Sequence, residues 1–570
     1  MTSNVGSPTG KTGQPPHPAR RFQSTGATDE DSDDTTDRYA AAAAIAETLS
    51  TTFGPKGLDK MLIDRSGTVT VTNTGATVLD GLEMGSPTGR VVRNAVATQA
   101  TRIGDGSTTM ALLVGELLTT ARDLIESGLH PTAVIRGYLT AGRHATEHVT
   151  EVSTPVSREE TDQLTQIATT AITGRWDEMA ATALASIAVE ALERVDFDPA
   201  RLTLHAYSGG GVTDAEHING ILIDTNNSST DSDGGHRRGH SEQPHRIPAP
   251  TIALVEQEIT QSELSKPATV SVSDVDALDE IRSREHQRRD ERLNSIIAAD
   301  VDVVVCQQAI DAELRTALAR RGVVSLARTR QDEFDAIARA TGADTVVDVG
   351  TVDSEKVGTA DVVRQRTIGS TPVVEFTGLP NEHHASVVVR GGTEHVAEET
   401  RRIVADCIQN LRQTVHGGGS VPGGGATWMS ASNHVAEHAR AIDDRSQLAC
   451  KAFADALRVV PRTLARNAGA DPLTTLSTLS TRHETGDTGT GVSPTGTVQD
   501  MTALGVIEPA AVVSGCISAA VETATLVVRI DDVLDADGSG SATEAAQEHA
   551  HEHSHAGDDG HSGYPWALGH

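Results

Sequence analysis

The segment Gly104-Asp105-Gly106-Ser107-Thr108-Thr109 puts two glycines, a carboxylate and three hydroxyls directly ahead of a long amphipathic run. Glycine lets a backbone approach a ligand closely, and the first N–H groups of a helix have no intrahelical partners. Ser107, Thr108 and Thr109 add hydroxyl donors, and Asp105 offers a hard oxygen suited to Mg2+ beside phosphates. That chemistry is phosphate binding, although the same residues also suit an ordinary capped loop. The segment is not a Walker A loop, since no Lys follows the second glycine, and it is not GxGxxG. A second candidate is the C-terminal stretch HAHEHSHAGDDGHSGYPWALGH. There His549, His551, His553 and His555 either bind a transition metal or belong to a disordered tail. Cys306, Cys407, Cys450 and Cys516 show no CxxC or Cys/His metal spacing and read as buried thiols in a reducing cytoplasm.

Positioning the phosphate-type loop requires elements on either side of it. A helix is predicted from about Thr108 to Ser127, with Leu113, Leu117, Ala121 and Leu124 on one stripe. Gly128 suits its stop and Pro131 the start of the next helix. Upstream, residues 1–37 are rich in Ser, Thr, Gly, Pro and Asp and predict a disordered arm. An Ala-rich helix follows from near Tyr39, then a turn at Gly54-Pro55-Lys56-Gly57. KMLIDRSG and TVTVTNTG read as paired strands joined at Ser66-Gly67, followed by a helix from about Thr88 to Arg102. Helices dominate to about Glu193.

Between about 202 and 390 the texture changes. IALVEQE, ADVDVVVCQQ, GVVSLAR, ADTVVDVG, TPVVEF and ASVVVRGG read as strands, and helical segments fall around 274–299, 309–321 and 331–341. This is the pattern of an α/β domain, interrupted by the polar insertion TNNSSTDSDGGHRRGHSEQPH. From about Thr393 the chain is helical again, closing on a strand-like LVVRIDDV at 526–533 and a Gly/Ser/His-rich tail. The fold class is therefore multidomain, mixing helical and α/β parts.

Composition narrows the function classes. The 570 residues carry 47 Lys+Arg against 79 Asp+Glu, a net charge of -32, and only six of the cations are Lys. The acids are spread along the chain, which suits a salt-rich medium that screens self-repulsion better than one acidic docking patch. That balance, with aromatics at 2%, argues against nucleic-acid binding. No basic-then-apolar leader opens the sequence. The apolar stretch Val512 to Ile530 is interrupted by Ser514, Gly515, Ser518, Glu522, Thr523 and Thr525 and reads as too polar to span a bilayer. The expected location is the cytoplasm, with no membrane partner.

GDGSTT does not stand alone. TTFGPKGLDKML (51–62), VTNTG (71–75), LHPTAVIRGY (129–138), IATTAITGR (167–175), VVVRGGTEH (387–395), GGGATW (423–428), PRTLARNAGADP (461–472), GVIEP (505–509) and LVVRIDDV flank it in order. This ordered set resembles the group II chaperonins, the archaeal thermosome and the eukaryotic cytosolic chaperonin, over roughly residues 38–535. The resemblance implies a chaperonin fold with three domains. A mainly helical equatorial domain would come from 38–150 and 403–535, and a small intermediate hinge from 151–217 and 369–402. An α/β apical domain with a lid segment would occupy 218–368, leaving 1–37 as the arm and 536–570 as the tail. It implies an ATP-driven protein-folding subunit of a double ring, homo- or hetero-oligomeric, that binds unfolded or partly folded clients and uses ATP and Mg2+. Residue by residue, Thr52, Phe53, Gly54 and Pro55 would border the nucleotide, and Asn73 would lie near the phosphates. Gly104 belongs to the phosphate loop, Asp105 would ligate Mg2+, and Gly106, Ser107, Thr108 and Thr109 would cradle phosphates. Gly424 and Glu508 would flank base and ribose. Asp406, otherwise an ordinary helical acid, stands at the family's catalytic aspartate.

The departures are specific. The family reads TNDG where this chain has Thr72-Asn73-Thr74-Gly75, so one carboxylate is missing. Arg175 stands where the family has a phosphate-sensing Lys. Weakened hydrolysis is expected, and with it a second reading: a nucleotide-binding structural or regulatory subunit in a mixed ring. The polar, acidic residues 24–37, which hold no N-terminal strand pattern, favour that reading too. The lid segment IRSREHQRRDERL (281–293) reads as a solvated helix face or as a polar lid contact. A small-molecule kinase would need a phosphoacceptor pocket that nothing in the sequence suggests.

Overall fold

The computed structural model describes residues 33–225, 244–259, 291–381 and 383–531. Most of the N-terminal arm, of the polar insertion and of the lid segment, and the His-rich tail, lie outside the described residues. All the described helices and strands belong to a unit spanning Met1–Arg529, and Ile530–His570 form a second unit.

The chain opens with α1 (Asp33–Ser50), β1 (Lys60–Ile63), β2 (Val69–Thr72), α2 (Gly75–Asp80), α3 (Pro87–Ile103), α4 (Ser107–Glu126) and α5 (Pro131–Glu151). Then come α6 (Thr161–Ile172), α7 (Glu178–Arg194), β3 (Leu202–Ser208), β4 (Glu216–Ile218), β5 (Gly220–Asp224), β6 (Arg246–Pro248) and β7 (Thr251–Val255). Helical residues 291–298 form α8. They precede β8 (Val303–Cys306), α9 (Ala312–Ala319), β9 (Val324–Leu326), α10 (Gln331–Thr341), β10 (Thr345–Val346) and β11 (Gly358–Thr359). The last strands of this region are β12 (Val362–Ile368), β13 (Thr371–Thr377) and β14 (Ala385–Gly391). The chain closes with α11 (Glu394–Gly417), β15 (Ser420–Pro422), α12 (Ala426–Ala439), α13 (Ser446–Leu457), α14 (Val459–Asn467), α15 (Pro472–Glu484), β16 (Thr490–Val492), β17 (Val498–Asp500), β18 (Ile507–Pro509) and α16 (Ala510–Arg529).

Local signals explain where these elements start and stop. Ser86 caps α3 by accepting from Gly89 N at 2.9 Å, Pro87 takes the first helical position, and Gly104 ends the helix at φ 88°. His130 and Pro131 begin α5 in the same manner, and Thr393 caps α11. In α4 the predicted stripe is buried at Leu113, Leu117 and Ala121.

Packing ties the two ends of the chain together. The largest core joins residues from Tyr39 to Val149 with residues from Val421 to Val528. A second core gathers α6, α7, β3, β14 and α11, including Ile403, Val404, Cys407 and Leu411, and takes in Ile507. A parallel sheet of order β10-β7-β8-β9, with β11 antiparallel on β7, is buried on both faces. Ile252, Leu254, Val303 and Val305 enter one core, while Ala253, Val255, Val304 and Cys306 enter another, as a period of two requires. A second sheet, β5-β13-β12-β6, is antiparallel throughout, and a third has β14 between β3 and β4. All four cysteines are free and buried.

Three readings of the sequence change. Helix α1 begins at Asp33, inside the stretch read as the arm. Residues 526–529 are helical, because the spacing Val512, Cys516, Ala520, Ala524, Val527 continues one buried helical face through the β-favouring Leu-Val-Val run. Helix α16 is also long and apolar enough to cross a membrane by composition; its window is 61% buried, which makes it a core helix packed beside α4 and α5.

Candidate functional site

The loop between α3 and α4 is built around two glycines that no other residue replaces cheaply. A Cβ at Gly104 would lie 2.7 Å from the Gln409 side chain, and one at Gly106 would lie 2.3 Å from Cys516 Sγ, both at positive φ. Gly106 is the N-cap of α4 and has no side chain to bond the N–H groups that follow, so the positive end of a 20-residue helix opens toward the loop. Asp105 is fixed from two sides: its Oδ1 accepts from Gly106 N at 2.5 Å and its Oδ2 from Asn410 Nδ2 at 3.0 Å. Asn410 is buried on α11, and its Oδ1 has no hydrogen-bond partner.

Three other segments close around this loop. The turn after α1 is held by Asn467 Nδ2, which donates to the carbonyls of Ser50 and Phe53 at 2.8 Å each. Gly75, at the start of α2, approaches α4 so closely that a Cβ would sit 2.6 Å from Thr108 Oγ1. Gly174, at φ 87°, packs on Pro55 and so sets Arg175 over the same space. On the far wall β15 pairs with β18 with Val421 opposite Glu508, and Val492 N donates to Gly424 O at 2.8 Å.

These segments line one cleft of about 260 Å³. Of the predicted residues, Thr52, Phe53, Gly54, Pro55, Asn73, Asp105, Gly106, Ser107, Thr108, Thr109, Arg175, Gly424 and Glu508 line it. Gly104 and Asp406 are not on its wall. Gly104 turns the chain behind the loop, and the Asp406 carbonyl would be 3.5 Å from a Cβ there.

The electrostatics are those of crowded acids. Burial first, then the charge of Asp105, raises Asp406 to about 7; Arg175 and Arg402 pull the other way and Glu399 adds to the rise. Burial, with Asp105 again second, raises Glu508 to about 8. A cation beside these carboxylates would relieve both. Hard oxygens, an uncapped helix start and an unpartnered buried amide oxygen therefore fit a phosphate-bearing ligand with Mg2+.

Sequence reasoning missed the polar lattice behind the cleft. Arg175 Nη1 donates to Thr74 Oγ1 at 2.7 Å and stands 3.8 Å from Glu399 Oε1. Glu399 also accepts from Thr72 Oγ1 at 2.9 Å and pairs with Arg402 at 3.2 Å. Glu399, Asp406, Asn410 and Gln413 fall at spacings of seven, four and three on α11, a polar stripe beside the buried face of Ile403, Cys407 and Leu411. That stripe was the available signal. Trp428, Val460, Leu464, Val492 and Val506, the apolar part of the lining, gave none beyond ordinary core patterning.

The model of the TCP-1/cpn60 chaperonin family matches residues 45–537. The chain is similar to thermosome subunit beta of Archaeoglobus fulgidus, 35% identical over 507 residues, covering 87% of this chain and 91% of that one. It is likewise similar to thermosome subunit alpha of Halobacterium salinarum, 35% identical over 501 residues, with 87% of each chain covered. Thermosome subunit alpha of Thermoplasma acidophilum is 34% identical over 503 residues, covering 87% and 90%.

Proposed function

This chain belongs to the TCP-1/cpn60 chaperonin family as a group II, thermosome-type subunit, and from that premise we propose how its cleft serves the ATP-driven chaperone role of that family. The cleft takes Mg2+-ATP as substrate. The N–H groups and hydroxyls of Ser107, Thr108 and Thr109 hold phosphate oxygens, and Asn73 lies beside them. Asp105 holds Mg2+, which offsets phosphate charge when bound. Thr52, Phe53, Gly54 and Pro55 border the nucleotide, Gly104 and Gly106 shape the loop, and Gly424 and Glu508 flank base and ribose. Asp406, which stands behind the cleft wall beside Asp105, orients or activates the attacking water, the role of the family's catalytic aspartate.

One observation carries the reading: four distant segments converge on an uncapped helix start and a fixed carboxylate, with Arg175 set above them. The separate cores support a division into equatorial (38–150 and 403–535), intermediate (151–217 and 369–402) and apical (218–368) domains. The second core's reach to Leu411 argues for a boundary further along α11. The subunit works in the cytoplasm, in a double ring with copies of itself or related subunits, on unfolded or partly folded clients.

Phosphate release from Mg2+-ATP by the purified protein in multi-molar KCl tests the site. Asp406→Ala is expected to slow release by roughly 10²–10⁴-fold while nucleotide binding survives. Equal rates in the two proteins would remove Asp406 from the chemistry. The Thr74–Arg175 contact favours a second reading, in which a neutral hydroxyl replaces an acid and the subunit binds nucleotide with little turnover. Undetectable release by the natural protein, with binding intact, would favour that reading.

A further inference from the structure

Two histidine pairs outside the cleft lining face each other between α5 and α12. His144 and His148 stand four residues apart on α5, and His434 and His438 stand four apart on α12, so each pair shares a helix face. The two helices pack in the large core and bring the pairs together. Ring centroids are 3.8 Å apart for His144 and His438, 4.4 Å for His148 and His434, and 5.3 Å for His434 and His438. One ring nitrogen from each of His144, His434 and His438 lies within 4.8 Å of the other two.

The surroundings resemble support for a ligand set more than a chance meeting of rings. Glu147 Oε2 lies 3.3 Å from His144 Nδ1, the carboxylate–imidazole pairing that fixes a tautomer and leaves Nε2 as the lone-pair nitrogen. His148 stacks on His434 at 16° and is itself engaged, with Nε2 2.8 Å from Ser430 Oγ, so it orients a ring without competing for the ion. His144 is 19% exposed and His438 is exposed, which gives an entry path and one ring free to adjust.

We propose that His144, His434 and His438 bind one late first-row divalent metal ion, zinc foremost, as a clip between α5 and α12. An all-imidazole set suits zinc, copper or nickel and not magnesium or calcium. Tetrahedral zinc with bonds of about 2.0–2.1 Å needs nitrogens roughly 3.3 Å apart, so the rings need close by no more than about 1.5 Å, with water in the fourth position. Such a clip joins chain segments whose sequence separation spans the α/β region. The unfolded chain does not hold the three ligands together, so metal binding favours the folded state.

The experiment uses full-length protein, Zn2+ alone and no nucleotide. Equilibrium dialysis and thermal unfolding are compared for the natural protein, His434→Gln/His438→Gln, and His144→Gln, with folding verified by circular dichroism. The histidines of the C-terminal tail are common to all three and cancel in the comparison. The natural protein is expected to bind one more Zn2+ per chain than either variant and to show a saturable rise in Tm that both variants lose. Equal stoichiometry and an equal Tm response in all three would overturn the proposal and assign the binding to the tail. Loss in the α12 variant but not in His144→Gln would overturn it as well, because the clip requires both helices.

Discussion

Arg175 and Thr74 make a hydrogen bond of 2.7 Å between a guanidinium and a neutral hydroxyl, with Glu399 3.8 Å from the same nitrogen. A carboxylate at position 74 would turn that contact into an ion pair open to bidentate bonding and would add an acid to the set of Asp105 and Asp406. Thr74→Asp is therefore expected to raise single-turnover ATP hydrolysis by at least about tenfold, up to the roughly 10²–10⁴-fold that a fully positioned acid or base supplies. The gain should depend on residue 175. A Lys there reaches the new carboxylate as a point charge, whereas Arg forks toward both Asp and Glu399. A cycle of Thr74→Asp, Arg175→Lys and the double variant is expected to be non-additive, because the two side chains touch. Additive rates, or no gain from Thr74→Asp, would mean that position 74 does not contribute to the chemistry of this chain.

At the level of elements, the sheet β3-β14-β4 carries a titrating group outside the nucleotide cleft. Burial first, then the positive charge of Arg330, lowers His205 on β3 to about 4, while Asp332 opposes the shift. Unfolded histidine titrates near 6.5, so the unfolded chain takes up a proton that the folded chain refuses. Stability from this group is complete above about 6.5 and is lost as pH falls toward 4, by roughly 3 kcal/mol at most. Asp406 and Glu508, whose pKa values are raised, pull the opposite way, so the difference between proteins is the informative quantity. Denaturant midpoints from pH 7.5 down to 4.5 should fall more steeply for the natural protein than for His205→Gln; parallel curves would refute the assignment.

The bounds of α3 and α4 were readable because Ser86, Pro87, Gly104 and Gly128 are local signals, and the Asp105 loop was readable because helix starts advertise themselves nearby. Glu399 and Asn410 were hidden because their partners, Thr72, Arg175 and Asp105, lie hundreds of residues away. The end of α16 was misread because β-branched residues in a short window outvote a helical face that only the core completes. The histidine cluster was invisible for the same reason as Glu399: each pair alone is an ordinary surface spacing.

For the whole molecule the governing quantity is charge. With a net charge of -32 and one core stitched from both ends of the chain, repulsion accumulated over the surface acts on a single large packed unit. Screening shortens the reach of that repulsion from about 10 Å at 0.1 M salt to about 3 Å at 1 M. If repulsion is the main stress, Tm should climb steeply between 0.1 and 1 M KCl and more slowly beyond, where only preferential exclusion of salt from exposed surface continues to act. Sucrose strengthens burial without screening, so it separates the two causes. A Tm that rises in KCl but little in sucrose would identify acidic self-repulsion as the stress, and would require ATPase and zinc measurements to be made in concentrated KCl. An equal rise in both would mean that burial limits stability, and that the acidic surface serves solubility in a salt-rich medium more than folding.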